Sequence, residues 1–571
     1  MNLRLKPALL GLVAASVLAL SASAQVGFDG NILYGNSGGS VLEADQYGTD
    51  AVTHTCPDLT NPATAKDIAD YFLHNQIIDP DLNASYATPG TDNWRPNSTS
   101  PALVANGLHT SVMMTDLDPW FTDTAYVGAM SDDANDDWTR CNGGSSWVYT
   151  DLDGGTARGD LFTGKTIVVK SGSIAANEMW TSNNVYVLQG KVNVLASVTL
   201  TIDPGTVVAG EVGTDAFLVV ERDGFLDAQG TCDQPIIFTS DALPGQQIPG
   251  DWGGVVLHGK ANANCGSGGA IEGCGQTSQS LDCISEGAAG NFGGNDDTDG
   301  SATIRYAGVE YAGREISINN ELNAWTMNAQ GTGTTIEYIY ANQGTDDLFE
   351  WFGGAPRTKY FVGIAGADDG LDWQMGYRGF HQFAIIHNIS AARGGQNGDA
   401  GIEADNNEFD NDCPGRSNPC MANLTFIGSP DLSGRGIRMR RGTDGSVYNS
   451  IVVDWANVGF RYENPGLRNC LRPQLKSSPT GLESVYGFKV AVAPNPIVGQ
   501  STFSFNLPVR TNVQVKIYNA QGRLIDTAFD GPMAEGAQMI QWAPRQKASG
   551  VYYYNVVAGG NTAKGKLLVV N

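Results

Sequence analysis

The sequence predicts an all-β chain, a right-handed parallel β-helix followed by a small immunoglobulin-like β-sandwich, and three observations carry that expectation. Apolar runs of only three to six residues recur between Gly, Asn and Asp turns from about residue 166 onward. Two segments, Asp346-Asp347-Leu348-Phe349-Glu350-Trp351 and Asp368-Asp369-Gly370-Leu371-Asp372-Trp373, match as acid, acid, any, apolar, acid, Trp at an interval of 22 residues. The 571 residues include 72 Gly, and Gly costs about 1 kcal/mol in a helix interior. Strands this short cannot stand as isolated pairs. An interval of 22 suits one coil of a parallel solenoid, in which equivalent positions stack at about 4.8 Å, whereas a sandwich shows turn signals every 8–12 residues or so.

Composition narrows the function classes. The chain is 41% hydrophobic, enough to bury a core, and carries 34 Lys+Arg against 60 Asp+Glu, a formal charge of −26. That balance argues against nucleic acid and anionic membranes as partners, because phosphate recognition needs clustered cations. It favours divalent cations, basic partners or simple solubility.

Residues 1–24 read as a secretory signal peptide: Arg4 and Lys6, an apolar run from Ala8 to Leu20, then Ala22-Ser23-Ala24 before Gln25. The run is shorter than the ~20 residues a bilayer requires, so no transmembrane segment is expected in the mature chain. Export permits disulfides, and there are nine Cys. Cys265, Cys274 and Cys283 sit in one Gly/Ser-rich loop and Cys413 and Cys420 bracket another, so loop-stapling disulfides are expected. A zinc cluster is disfavoured because no pair is spaced C-x-x-C. Residues 25–160 form an irregular N-terminal region with one helical pattern, Ala63 to Gln76, and an Asp-rich loop at 132–137.

The β-helix is placed at 161–470. Its runs begin at Ile167-Val168-Val169, Val185-Tyr186-Val187-Leu188 and Val198-Thr199-Leu200-Thr201-Ile202, and continue to Ser450-Ile451-Val452-Val453. Thr199-Leu200-Thr201-Ile202-Asp203-Pro204-Gly205-Thr206 and Pro235-Ile236-Ile237-Phe238-Thr239-Ser240 resemble a family of bacterial secreted β-helix proteins. Asn320-Glu321-Leu322-Asn323, Glu350-Trp351-Phe352-Gly353-Gly354 and Glu403 to Glu408 resemble it too. The resemblance covers about residues 120 to 465 and implies the fold more than an activity, since most members have none assigned.

A Pro/Ser-containing linker is expected at 471–486, and a separate domain at 487–571. This tail holds eight Lys/Arg and three Asp/Glu, net +5, which leaves −31 of the total −26 for everything before it. Thr502 to Leu507 and Val513 to Tyr518 alternate apolar and polar, as antiparallel strands do. The tail resembles the C-terminal sorting domain of cargo carried by the type IX secretion system. The motifs are Pro494-Asn495-Pro496, Gly522-Arg523 in a turn, Gly550-Val551-Tyr552, and the terminal strand with Lys566, Leu567, Leu568 and Val569. The resemblance implies recognition by outer-membrane secretion machinery and a surface or extracellular location.

The candidate site is the recurring acids. Asp346, Asp347 and Glu350 should lie beside Asp368, Asp369 and Asp372 of the next coil, where like charges repel unless a cation or proton intervenes. Carboxylates so grouped suit Ca²⁺, a hard oxygen-seeking ion. Asp347, Asp369 and Asp372 are also the catalytic candidates for a glycosidase pair. The plainer alternative is that these Asp residues cap solvated turns through their own backbone. Trp351, Trp373, Tyr377 and Arg378 are candidates to contact a polysaccharide, with interior packing the alternative. Arg438, Arg440 and Arg441 either bind acidic sugars or pair with acids. The six His form no metal motif, and His381 and His387 would share a face only on an unbroken strand. The leading expectation is an exported, non-enzymatic β-helix protein, structural, adhesive or glycan-binding. The alternative is a polysaccharide lyase or glycoside hydrolase.

Overall fold

The structure is a computed structural model. It describes residues 26–29, 31–34, 43–44, 79–83, 93–106, 113–142, 144–149, 160–264, 283–284, 289–317, 320–389, 398–407, 411, 413–429, 432–463, 490–493, 497, 499–507, 511–519, 523–534, 536–544, 550–558 and 561–570. The chain divides into two compact units, Met1–Leu475 and Lys476–Asn571. The signal peptide, the helical pattern at 63–76 and the linker at 471–486 lie outside the described residues.

The first unit is a parallel β-helix whose strands join in one 25-stranded sheet. Each strand pairs in parallel with its counterpart one coil away. Phe349–Phe352 lies on Leu371–Gln374, which lies on Ala400–Ala404, then Arg435–Arg440, then Phe460–Glu463. Because side chains alternate across a strand, this register stacks Phe349, Leu371, Ile402, Ile437 and Phe460 in one interior column. Wherever the backbone is flat and paired on both sides, the inner face must be apolar, and it is buried throughout.

Long strands turn from one face of the solenoid to the next without a loop. Ala302–Glu310, Thr335–Asn342, Arg357–Ile364, Phe380–His387 and Cys420–Ile427 each contain one residue in the left-handed region, at Tyr306, Tyr338, Tyr360, Phe383 and Asn423, with φ from 46 to 63°. A bulky residue there is strained by about 1–3 kcal/mol. The bend throws its ring outward, where the rings stack at 4.5, 4.5 and 5.1 Å from Tyr306 through Tyr338 and Tyr360 to Phe383. Stacking offsets part of the strain. Gly308 is required beside this ladder, since a Cβ there would meet the Tyr340 ring at 2.0 Å.

The N-terminal region is less irregular than its composition suggests. Val26–Asp29, Ile32–Tyr34 and Glu43–Ala44 pair in parallel with Gly445–Tyr448, Ile451–Val453 and Phe460–Glu463, extending the C-terminal end of the solenoid with the start of the chain. Asn31 fixes this closure: its Nδ2 donates to Val447 O at 3.0 Å and its Oδ1 accepts from Ser450 N at 2.8 Å. The described residues between 79 and 149 then cover an apolar outer face. Trp94, Val127, Met130 and Trp147 pack on Ile237, Tyr340, Val362, Ile385 and Ile427, and Trp147 and Trp138 meet Tyr306 and Tyr360 at 5.6 and 5.5 Å. Within this cover the Asp-rich loop forms a 3-10 turn, Ala134–Asp136, capped by Asp133.

Disulfides are present as expected, but the staple between Cys413 and Cys420 is not. Cys141 of the covering segment bonds Cys232 of the solenoid, 91 residues away. Cys413 is disulfide-bonded but not to Cys420, which is a free thiol; the two bracket a loop without stapling it. Cys283 lies on a two-residue strand paired with Asn291–Phe292, and Cys265 and Cys274 fall outside the described residues.

The second unit has a three-stranded antiparallel sheet, Ala491–Ala493, Ser501–Leu507 and Gly536–Trp542, and a four-stranded one ordered Leu524–Met533, Thr511–Asn519, Gly550–Ala558, Asn561–Val569. Both sheets contribute to one core that includes Phe503, Phe505, Val515, Ile517, Trp542, Val556 and Leu567.

Candidate functional site

The solenoid register makes a column of the acids. On the strands just described, Glu350 lies beside Asp372, Asp372 beside Glu403, Glu403 beside Arg438, and Arg438 beside Arg461. Their neighbours Phe349 and Trp351, or Leu371 and Trp373, point inward, so alternation sends the acids to the outer face. The turns preceding these strands bring Asp346, Asp347, Asp368, Asp369 and Asp399 alongside. Four overlapping groups result, each with ligand oxygens within 4.8 Å of one another: Asp346, Asp347 and Asp368; Asp347, Glu350 and Asp372; Asp368, Asp369 and Asp399; Asp369, Asp372 and Glu403. All six acids expected at this place are brought together.

Asp368 is exposed, but Asp347, Glu350 and Asp369 are not solvated turn acids. Asp347 is 5% exposed and Asp369 2%. Asp347 Oδ1 accepts from the backbone N of Asp369 at 2.9 Å, a bond to the next coil rather than to its own turn. Glu350 accepts from Asn323 Nδ2 and, at 3.4 Å, from Gln374 Nε2. Asp369 Oδ1 and Asp372 Oδ1 are buried without a hydrogen-bond partner. Burial pushes the carboxyls of Asp347, Asp369 and Asp372 well above the usual range, and the neighbouring carboxylates push them further, chiefly Asp372 on Asp347 and Glu403 on the other two. Asp368 is raised by burial and by Asp399.

The lower coils are neutralised from within. Arg435 and Arg438 pair with Asp399, Arg438 and Arg440 with Glu403, and Arg440 and Arg441 with Asp405, the last two at 2.9 and 2.7 Å. Glu403 is nevertheless raised to about 7, because burial outweighs the pull of Arg440. The arginines therefore pair with acids, leaving the sugar-binding alternative without free guanidinium groups here. Asp399, Glu403, Asp405 and Arg435 belong to the column although the 22-residue interval does not reach them. From Asp372 to Glu403 the spacing grows to 31 residues (403 − 372), and from Glu403 to Arg438 it is 35.

Other expected residues lie elsewhere. Trp351, Trp373 and Tyr377 are fully buried in the solenoid interior, so they pack the core and present no ring to a polysaccharide. Trp351 stacks on Tyr377 at 5.5 Å, and Tyr377 Oη shares a 2.7 Å hydrogen bond with His381 Nε2. Arg378 grips Asp297 with two bonds of 3.1 and 3.0 Å. The bend at Phe383 separates the histidines, for His381 faces the interior while His387 Nδ1 accepts from Trp94 Nε1 at 3.2 Å on the covered face.

In the tail, Arg523, Lys566 and Leu568 are exposed, Gly550, Val551 and Tyr552 are partly buried, and Leu567 and Val569 are buried. Pro494, Asn495, Pro496 and Gly522 lie outside the described residues.

A family model described as a pectate-lyase-like beta helix domain matches residues 172–487, more than half of the chain. The protein belongs to this family. A second model, the secretion system C-terminal sorting domain, matches residues 491–570. The sorting domain marks the family member as an exported protein of the cell surface or extracellular space that engages the secretion machinery. No match to a curated protein was found. Among the described residues no helix is long and apolar enough to cross a membrane.

Proposed function

We propose that this secreted β-helix protein is a non-enzymatic structural or adhesive component that binds glycans at the cell surface, its solenoid stiffened by Ca²⁺ in the acidic column. The observation that supports this reading is the asymmetry of the column. Asp399, Glu403 and Asp405 have arginine partners at ion-pair distance, whereas the charges acting most on Asp347 and Asp369 are other carboxylates, and on Asp372 those of Glu403 and Asp405 outweigh Arg440. Separated buried carboxylates without a counter-charge carry a heavy desolvation penalty. The donor set fits the ion: calcium takes about six to eight oxygens at roughly 2.3–2.6 Å, and Asp372, which has an unpartnered carboxylate oxygen, groups with Asp347 and Glu350. Asp347, Glu350 and Asp372 would hold the ion, with Asp369 beside it.

Burial also speaks against catalysis here. A glycosidase pair must touch a polymer, and Asp347 and Asp369 are closed to one. The test is thermal unfolding of the mature protein in calcium and in chelator. A ligand of the folded state stabilises by mass action, about 2.7 kcal/mol at a hundredfold excess over Kd. Identical melting temperatures would sink the calcium part. Cleavage of any polysaccharide in a panel of acidic and neutral polymers, lost in Asp369→Asn, would sink the non-enzymatic part.

A further inference from the structure

A cleft of 160 Å³ opens where the covering segment meets the solenoid. Its floor is Glu310, 1% exposed, on an outward position of the strand Ala302–Glu310. The carboxylate is held by hydroxyl donors: Oε1 accepts from Tyr340 Oη and Oε2 from Thr239 Oγ1 at 3.2 Å. Tyr149 and Phe162 form half-buried apolar walls, Tyr311 lies against the floor, and Asp160 and Asp241 stand at the rim. Asp241 is anchored through Val212 N, which donates to its Oδ1 at 2.9 Å. No Lys or Arg is among the described residues lining the cleft.

From this lining we propose that the cleft binds one neutral pyranose unit of a glycan chain and rejects uronic acids. The inference rests on the glycan-binding part of the function proposed above. The chemistry is complementary. A pyranose ring offers C–H faces to Tyr149 and Phe162 and hydroxyl donors to the rim carboxylates of Asp160 and Asp241, which can only accept. Small-ligand sites combine apolar walls with a few fixed polar groups in this way. A uronate would bring a negative charge against Glu310, Asp241 and Asp160 with no cation to receive it. The volume admits a single ring, so the chain would be gripped at an end or a branch.

The experiment is equilibrium binding of the full mature protein to methyl glycosides of neutral hexoses, to glucuronate and galacturonate, and to ethylammonium. Retention on neutral polysaccharides is measured alongside. The expected result is millimolar binding of at least one neutral glycoside and none of the uronates or the amine. Phe162→Ala and Asp241→Asn should each weaken it about tenfold, the loss of one good contact. Asp241→Asn keeps the acceptor for Val212 N, so it guards against a folding artefact, and an unchanged melting temperature confirms that. Equal binding of uronates, binding of the amine alone, or indifference to both variants would overturn the proposal. Retention on a polymer that survives both variants, with no glycoside bound, overturns the cleft while leaving glycan binding in place. Absence of retention on every polymer removes both.

Discussion

The backbone N–H of Asp369 donates to Asp347 Oδ1 at 2.9 Å across an interval of 22 residues, so one carboxylate of the column holds the turn that presents the next. Asp369 is thereby positioned by the coil before it. Asp369 itself contributes a buried carboxylate with an unpartnered oxygen. Asp369→Asn keeps the backbone bond and removes one buried charge. In chelator the variant should be more stable than the parent by about 1 kcal/mol, since like-charge repulsion and desolvation fall. In calcium the order should reverse, because a carboxylate beside the ion is lost and the ion is held less tightly. Unfolding curves in both media read the two signs directly.

The raised carboxyls also set a pH dependence. A carboxyl whose folded pKa lies above its unfolded value binds more protons when folded. Its folded state is therefore favoured at low pH and loses stability as pH rises through that interval. For Glu403 the interval runs from its ordinary value near 4.5 to about 7, and Asp347, Asp369 and Asp372 act in the same direction. In chelator Glu403 should weaken the fold as pH rises from 4.5 to about 7, and the three aspartates add to the loss in the same direction. Calcium competes with those protons, so its stabilising increment should grow over the same range. A calcium increment that shrinks toward neutral pH contradicts the account.

Arg440→Met tests the lower half. Arg440 pairs with both Glu403 and Asp405, and removing one member of a buried ionic group costs about 3–5 kcal/mol. The loss should be smaller when Glu403→Gln is added, as a double-mutant cycle would show.

Closure of the solenoid by the start of the chain predicts a second sensitive position. Asn31→Ala strips buried partners from Val447 O and Ser450 N. Two unsatisfied backbone groups cost about 1–3 kcal/mol each, so chemical denaturation should show a loss of several kcal/mol. A neutral effect would mean that Val26–Tyr34 is not part of the folded solenoid.

Removing residues 487–571 should leave the protein short of the cell surface, because the matched sorting domain occupies 491–570. Fractionation of cells expressing the truncated chain measures this. Normal surface delivery would refute dependence on the tail.

The repeat that was readable in the sequence is the one with even spacing. Glu350 and Asp372 announce each other because a tight coil separates them, and alternation with Trp351 and Trp373 is preserved. Glu403 and Arg438 occupy the same column, yet inserted chain between coils conceals them from any fixed interval. Conversely, Trp351 and Trp373 repeat for the same geometric reason as the acids but on the opposite side of the strand, which is why they fill the core. The closure by Val26–Tyr34 was invisible because its partners lie more than 400 residues away, as Asn31 and Val447 do. The bends at Tyr306, Tyr338, Tyr360 and Phe383 break strand alternation without any Gly or Pro to mark them.

The most direct measurement is anomalous diffraction from crystals of the mature protein grown with calcium. The account predicts a peak among the carboxylates of Asp347, Glu350 and Asp372, at about 2.4 Å from their oxygens. Well-ordered density at saturating calcium with no peak there, and carboxyl oxygens in direct contact as proton-sharing pairs, would contradict it.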